Sequence, residues 1–140
     1  MVQNPDCIAF TLNIGEDIKE RARKATGGFS DYVRRRVTRE LAKALGKAPT
    51  LFDSLDATKS GRLHLHGMLI ARRDQAQLVD AALRRAGGEW ASGRGREHQT
   101  ELRGHQWRLI GKNISDTDEA LTPEWGLYCT KQARELKEQA

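Results

Sequence analysis

The sequence predicts a single α/β domain on three observations. Short β-prone segments alternate with charged stretches of helical period. Two of the β-prone segments are joined by only four residues, the spacing of an antiparallel hairpin. The chain has 140 residues, about the length of one ordinary domain with a real core. No internal repeat, low-complexity tract or linker divides it, so the expected domain spans 1–140.

The elements follow in order. Cys7-Ile8-Ala9-Phe10-Thr11-Leu12-Asn13 lies between Pro5 and Gly15 and reads as a strand. The charged stretch from Glu16 to Ala25 reads as a short helix. After the Thr26-Gly27-Gly28 break, Ser30 is the expected cap of a second helix. Phe29, Val33, Val37, Leu41 and Leu45 recur every four residues along it, forming one apolar stripe, and Gly46 ends it. Leu51 to Ala57 and Gly61 to Ile70 are the two hairpin strands, joined by Thr58-Lys59-Ser60-Gly61. Asp74 is the expected cap of a helix through Ala86, with Leu78, Val79, Ala82 and Leu83 on its apolar face. Glu89 to Thr100 is a Gly- and Arg-rich loop, and Glu101 to Ile110 reads as one strand, with Gly104 as a bulge. Ile114 to Leu121 is an acidic connector. Thr122-Pro123-Glu124 opens a last helix that buries Trp125, Cys129, Ala133 and Leu136.

Lys and Arg number 24 against 19 Asp and Glu, for a net charge of +5. That balance suits a phosphate-bearing partner. Arg34, Arg35 and Arg39 crowd the polar face of the second helix, and Arg94 and Arg96 lie in the glycine-rich loop. These arginines are candidate nucleic-acid contacts; a solvated helix face is the other reading. No apolar run approaches the roughly 20 residues that span a bilayer, and no signal pattern opens the chain. A cytoplasmic protein without membrane contact is expected. The two cysteines, Cys7 and Cys129, read as reduced core residues.

The densest chemistry lies in Gly61-Arg62-Leu63-His64-Leu65-His66-Gly67. Side chains alternate along a strand, so His64 and His66 share one face and Leu63 and Leu65 the other. Two neutral imidazoles one strand repeat apart can share a divalent metal; otherwise each needs a carbonyl or water as partner. Asp53 and Asp56 lie on opposite faces of the preceding strand, and Asp56, nearer the turn, is the better placed carboxylate. Tyr128 and Lys131 fall at i and i+3 of the last helix and share a face. His98 and His105 read as surface residues. A metal polarises a phosphodiester oxygen, and an ionised phenol attacks phosphorus to form a phosphotyrosine. A phenol has a pKa near 10, so a neighbouring cation such as Lys131 favours its ionised form.

With these residues in view, the chain resembles the HUH endonucleases, and within them the replication-initiator (Rep) branch of rolling-circle plasmids, phages and single-stranded DNA viruses. Phe10-Thr11-Leu12-Asn13 is similar to the first Rep motif, His64-Leu65-His66 to the second and Tyr128-Cys129-Thr130-Lys131 to the third, in the family's order and over nearly the whole chain. The resemblance implies an α/β sandwich with a central antiparallel sheet and flanking helices, related to the ferredoxin-like and RNA-recognition folds. It implies His64, His66 and Asp56 as ligands of Mg²⁺ or Mn²⁺, Tyr128 as nucleophile and Lys131 as its assistant. Asp56, eight residues before His64, stands where the family more often has Glu or Gln. The implied activity is sequence-specific nicking and rejoining of single-stranded DNA, with an origin hairpin among the substrates. No helicase domain is expected, so a host helicase or an already single-stranded substrate is implied. A small single-tyrosine transposase shares this motif order, and a non-catalytic nucleic-acid-binding domain on the same sandwich is the alternative from another class.

Overall fold

The computed structural model describes residues 7–57, 63–90, 98–104 and 106–116, with the backbone alone at 52, 56 and 57. Along these residues run β1 (Cys7–Asn13), α1 (Glu16–Arg23), α2 (Phe29–Leu45), β2 (Leu51–Ala57), β3 (Leu63–Ile70), a single 3₁₀ turn (Arg73–Gln75), α3 (Ala76–Gly87), β4 (Thr100–Gly104), β5 (Trp107–Ile110) and β6 (Asn113–Asp116). The strands form one sheet in the order β2-β3-β1-β4-β5-β6, with every neighbouring pair antiparallel. The first four strands and the helices between them make a β-α-β-β-α-β unit, and β5 and β6 extend it. Mixed α/β with an antiparallel sheet is thus the architecture.

Strand alternation divides the sheet into two faces. Ile8, Phe10 and Leu12 of β1, Leu65 and Leu69 of β3, Leu102 of β4 and Leu109 of β5 are buried on one face. The helices supply the other half of that core through Ile18 and Ala22, Val33, Val37 and Leu41, and Val79, Ala82, Leu83 and Ala86. Burying a leucine in this way contributes about 1.5–3 kcal/mol relative to leaving it exposed. The stripe expected on α2 is the one that packs, with Phe29 and Leu45 partly buried at its ends. Gly46, at φ 74°, ends the helix as expected, its N–H donating to the Ala42 carbonyl.

Several local details differ from the sequence reading. α2 begins at Phe29 behind Gly28, and Ser30 does not cap it. α3 is entered through the 3₁₀ turn, where the Gln75 side chain accepts from the Arg72 N–H and Asp74 binds the Arg72 guanidinium. Leu78 faces outward at 51% exposure, and Ala76 and Ala86 take places in the core. Arg36 donates to the Ala86 and Arg85 carbonyls at 3.0 and 3.1 Å, satisfying the last turn of α3 and offsetting its dipole. The expected strand from Glu101 to Ile110 is two strands. Gly104 pairs with Trp107, leaving a two-residue turn in which Gln106 takes a φ of 62°. Ile110 pairs with Asn113 across a second two-residue turn, with Gly111 at φ 64°, and β6 occupies part of the expected connector. Cys7 is disulfide-bonded and not a reduced thiol. The expected hairpin turn at 58–61, most of the glycine-rich loop, His105 and the last helix from Thr122 lie outside the described residues.

Candidate metal centre on the sheet face

The second face of the sheet carries the histidines. His64 and His66 alternate with the buried Leu65, as their spacing requires. Their ring centroids are 4.4 Å apart at an interplanar angle of 67°. His64 is half-buried and His66 exposed. On β1, Asn13 is the register partner of His64 and Thr11 that of His66. The Thr11 hydroxyl lies 3.2 Å from His66 Nδ1. Asn13 Nδ2 donates to the His98 carbonyl at 3.0 Å, tying the end of β1 to the start of β4.

On the other side of β3, Asp56 is the register partner of His64 and Ser54 that of His66. Directly opposed residues share a face. Asp56, the carboxylate the sequence reading favours, therefore holds a register position on the histidine face, and its side chain lies outside the described residues. Asp53 pairs in register with Gly67 on the opposite face and binds Arg34 of α2.

The donor chemistry fits a divalent cation. Two neutral imidazoles with a carboxylate suit Mn²⁺ and its neighbours better than Mg²⁺, which prefers oxygen ligands. Among the described side chains no group of three His, Cys, Asp or Glu gathers, so they contribute the histidine pair. The third ligand expected from the sequence is assigned only by the register position of Asp56.

The remaining candidates are spread elsewhere. Arg34 is ion-paired with Asp53, Arg35 with Asp31 at 2.9 Å, and Arg39 is exposed. The Asp53 contact sets Arg34 and its helix on the face opposite the histidines. Tyr128, Lys131, Arg94 and Arg96 lie outside the described residues. Among the described residues no helix is long and apolar enough to cross a membrane. Thr11 is the site residue whose contact the sequence reading missed. Its signal was present: Thr11 and Asn13 are the polar positions that alternate with Phe10 and Leu12 on a strand of the first motif.

Comparison of the chain with protein-family models, curated proteins and solved structures finds no match.

Proposed function

We propose that the chain is a metal-dependent single-stranded DNA endonuclease and strand transferase of the HUH type, acting as a rolling-circle replication initiator. The observation that carries this reading is one row of the sheet face. Two imidazole rings stand 4.4 Å apart, and a carboxylate residue holds the register position across from His64. The Tyr-x-x-Lys pattern at Tyr128 and Lys131 supplies the matching nucleophile and cation.

His64, His66 and Asp56 would hold Mn²⁺ or Mg²⁺, and the bound ion supplies positive charge beside a phosphodiester oxygen. The chemistry of bond exchange belongs to Tyr128. Its phenol loses a proton, its oxygen bonds to phosphorus, and the bond from phosphorus to the 3′ oxygen breaks. The 3′ oxygen takes up a proton, and the 5′ end remains on the chain as a phosphotyrosine. Lys131 favours the ionised phenol or holds the phosphate. The phosphoester is conserved through the step, so the strand is rejoined by reversing it at a new 3′ hydroxyl.

The test is incubation with Mn²⁺ and a pool of labelled single-stranded oligonucleotides on a denaturing gel. A protein-linked DNA band is expected that disappears with chelator and in Tyr128→Phe. Metal binding without any covalent band across a broad pool would overturn catalysis and leave a non-catalytic nucleic-acid-binding domain.

A further inference from the structure

Thr11 and His66 are 55 residues apart in sequence and meet as register partners across β1 and β3. We propose that Thr11 is the positioning residue of the metal centre. It holds the His66 ring with Nε2 as the ligating nitrogen, and its hydroxyl changes from donor to acceptor when a cation binds. The inference rests on the metal reading given above.

The contact is specific to one nitrogen. The Thr11 hydroxyl meets Nδ1 at 3.2 Å, which assigns the ligating role to Nε2. A neutral imidazole carries one proton and one lone pair on its two nitrogens. With the proton on Nε2, Nδ1 accepts from the Thr11 hydroxyl. Coordination needs the lone pair of Nε2, so the ring must then carry its proton on Nδ1. The Nε2 proton leaves to solvent, Nδ1 gains one from solvent, and the ring stays neutral with one proton throughout.

Few side chains serve both states. A carboxylate or a backbone carbonyl only accepts, and a backbone N–H only donates. A hydroxyl does either by rotating its hydrogen, with no heavy atom displaced. Threonine adds stiffness, because its branched Cβ restricts χ1 in a strand. The ring is therefore held in one orientation with and without metal. Asn13, the other polar residue facing the pair from β1, spends its amide N–H on the His98 carbonyl. That bond ties Asn13 to the start of β4. Groups that orient a ligating histidine typically change metal affinity by about 10–100-fold when removed.

The test is calorimetric titration of the full chain with Mn²⁺, in wild type, Thr11→Val, Thr11→Ser and His66→Ala. Thr11→Val keeps the shape and removes the hydroxyl, and is expected to weaken binding about 10–100-fold. Thr11→Ser restores the hydroxyl and is expected to recover most of the loss. Circular dichroism and thermal midpoints confirm that each variant is folded. Long-range proton–nitrogen spectra with diamagnetic Zn²⁺ supply the second readout: His66 is expected to carry its proton on Nδ1 and the metal on Nε2. Metal on Nδ1, or equal affinity of Thr11→Val and wild type, overturns the role of Thr11 and leaves the metal centre standing. Wild type that binds neither Mn²⁺ nor Zn²⁺ overturns both.

Discussion

Arg34 of α2 is ion-paired with Asp53 of β2, on the face of the sheet that the histidines do not occupy. Asp53 is nearly enclosed, with its side chain 10% exposed, while Arg34 is half open at 49%. The pair fastens α2 to the edge of the hairpin that presents His64 and His66. Removing the exposed partner strips a nearly buried carboxylate of its counter-charge. Arg34→Ala is expected to lower unfolding free energy by about 1 kcal/mol and to leave Mn²⁺ affinity unchanged, as read by urea denaturation and calorimetry. A change in metal affinity without a change in stability would place Arg34 at the site and not behind it.

Gly104 exists to accommodate Trp107. A Cβ added at Gly104 would stand 2.0 Å from Trp107 Nε1 and 2.1 Å from Cε2. The indole is 4% exposed and has no room to retreat without disturbing the β4–β5 hairpin. Gly104→Ala is expected to destabilise the protein by about 1–3 kcal/mol, the usual cost of overpacking. Replacing Trp107 by Leu in the same chain removes the collision, so the double variant should fall short of the sum of the two single losses. Additive losses in a double-mutant cycle would show that the indole is not the obstacle.

Much of the histidine face was legible in the sequence. The alternation Leu63-His64-Leu65-His66 sets the two rings on one side, whereas Asp56 comes opposite His64 because Ala57 pairs with Leu63, one residue beyond the expected four-residue connection. Local periodicity carries the first of these facts. What it does not carry is contact between distant strands. The Thr11–His66 bond depends on how β1 docks beside β3, which no local window records. The β4–β5 turn escaped for a different reason. Its turn residue Gln106 adopts a left-handed φ of 62°, where glycine or asparagine would have announced a hairpin. Ser30 and Asp74 looked like caps by residue type, yet glycine precedes α2 and a 3₁₀ turn leads into α3.

Asp80 of α3 is a buried acid on the helix side. It is 7% exposed, accepts a hydrogen bond from the Thr100 hydroxyl, and binds Arg84 Nε at 3.0 Å. Thr100 is 2% exposed, so this bond joins α3 to β4 inside the core. Thr100→Val preserves volume and shape but leaves one carboxylate oxygen without its donor. The expected cost is about 1–3 kcal/mol, that of an unsatisfied buried group. Thr100→Ser keeps the donor and should cost less, the lost methyl aside. Equal denaturation midpoints for the valine variant and wild type would remove the bond from the account of stability.

The seam between α2 and α3 carries one source of acid sensitivity. Burial raises the pKa of Glu40, but the hydrogen bond from Arg85 at 3.1 Å and the charges of Lys43 and Arg85 outweigh it, so the carboxyl titrates below its ordinary 4.5. The folded value is thus lower than the unfolded one. Its stabilisation is complete above about pH 4.5 and is lost as pH falls through the folded value. Glu16 has the same sign, through its hydrogen bond with Lys19, and remains as a background acid response. Glu40→Gln should therefore lower stability at pH 7 by no more than about 1 kcal/mol, because Arg85 is half exposed and water screens the pair. The difference between the variant and wild type should shrink as pH falls through the folded value, where the carboxyl takes up its proton. Urea midpoints across that range are expected to show a shallower acid limb for Glu40→Gln. Parallel pH profiles for the two proteins would assign the acid response to other carboxylates.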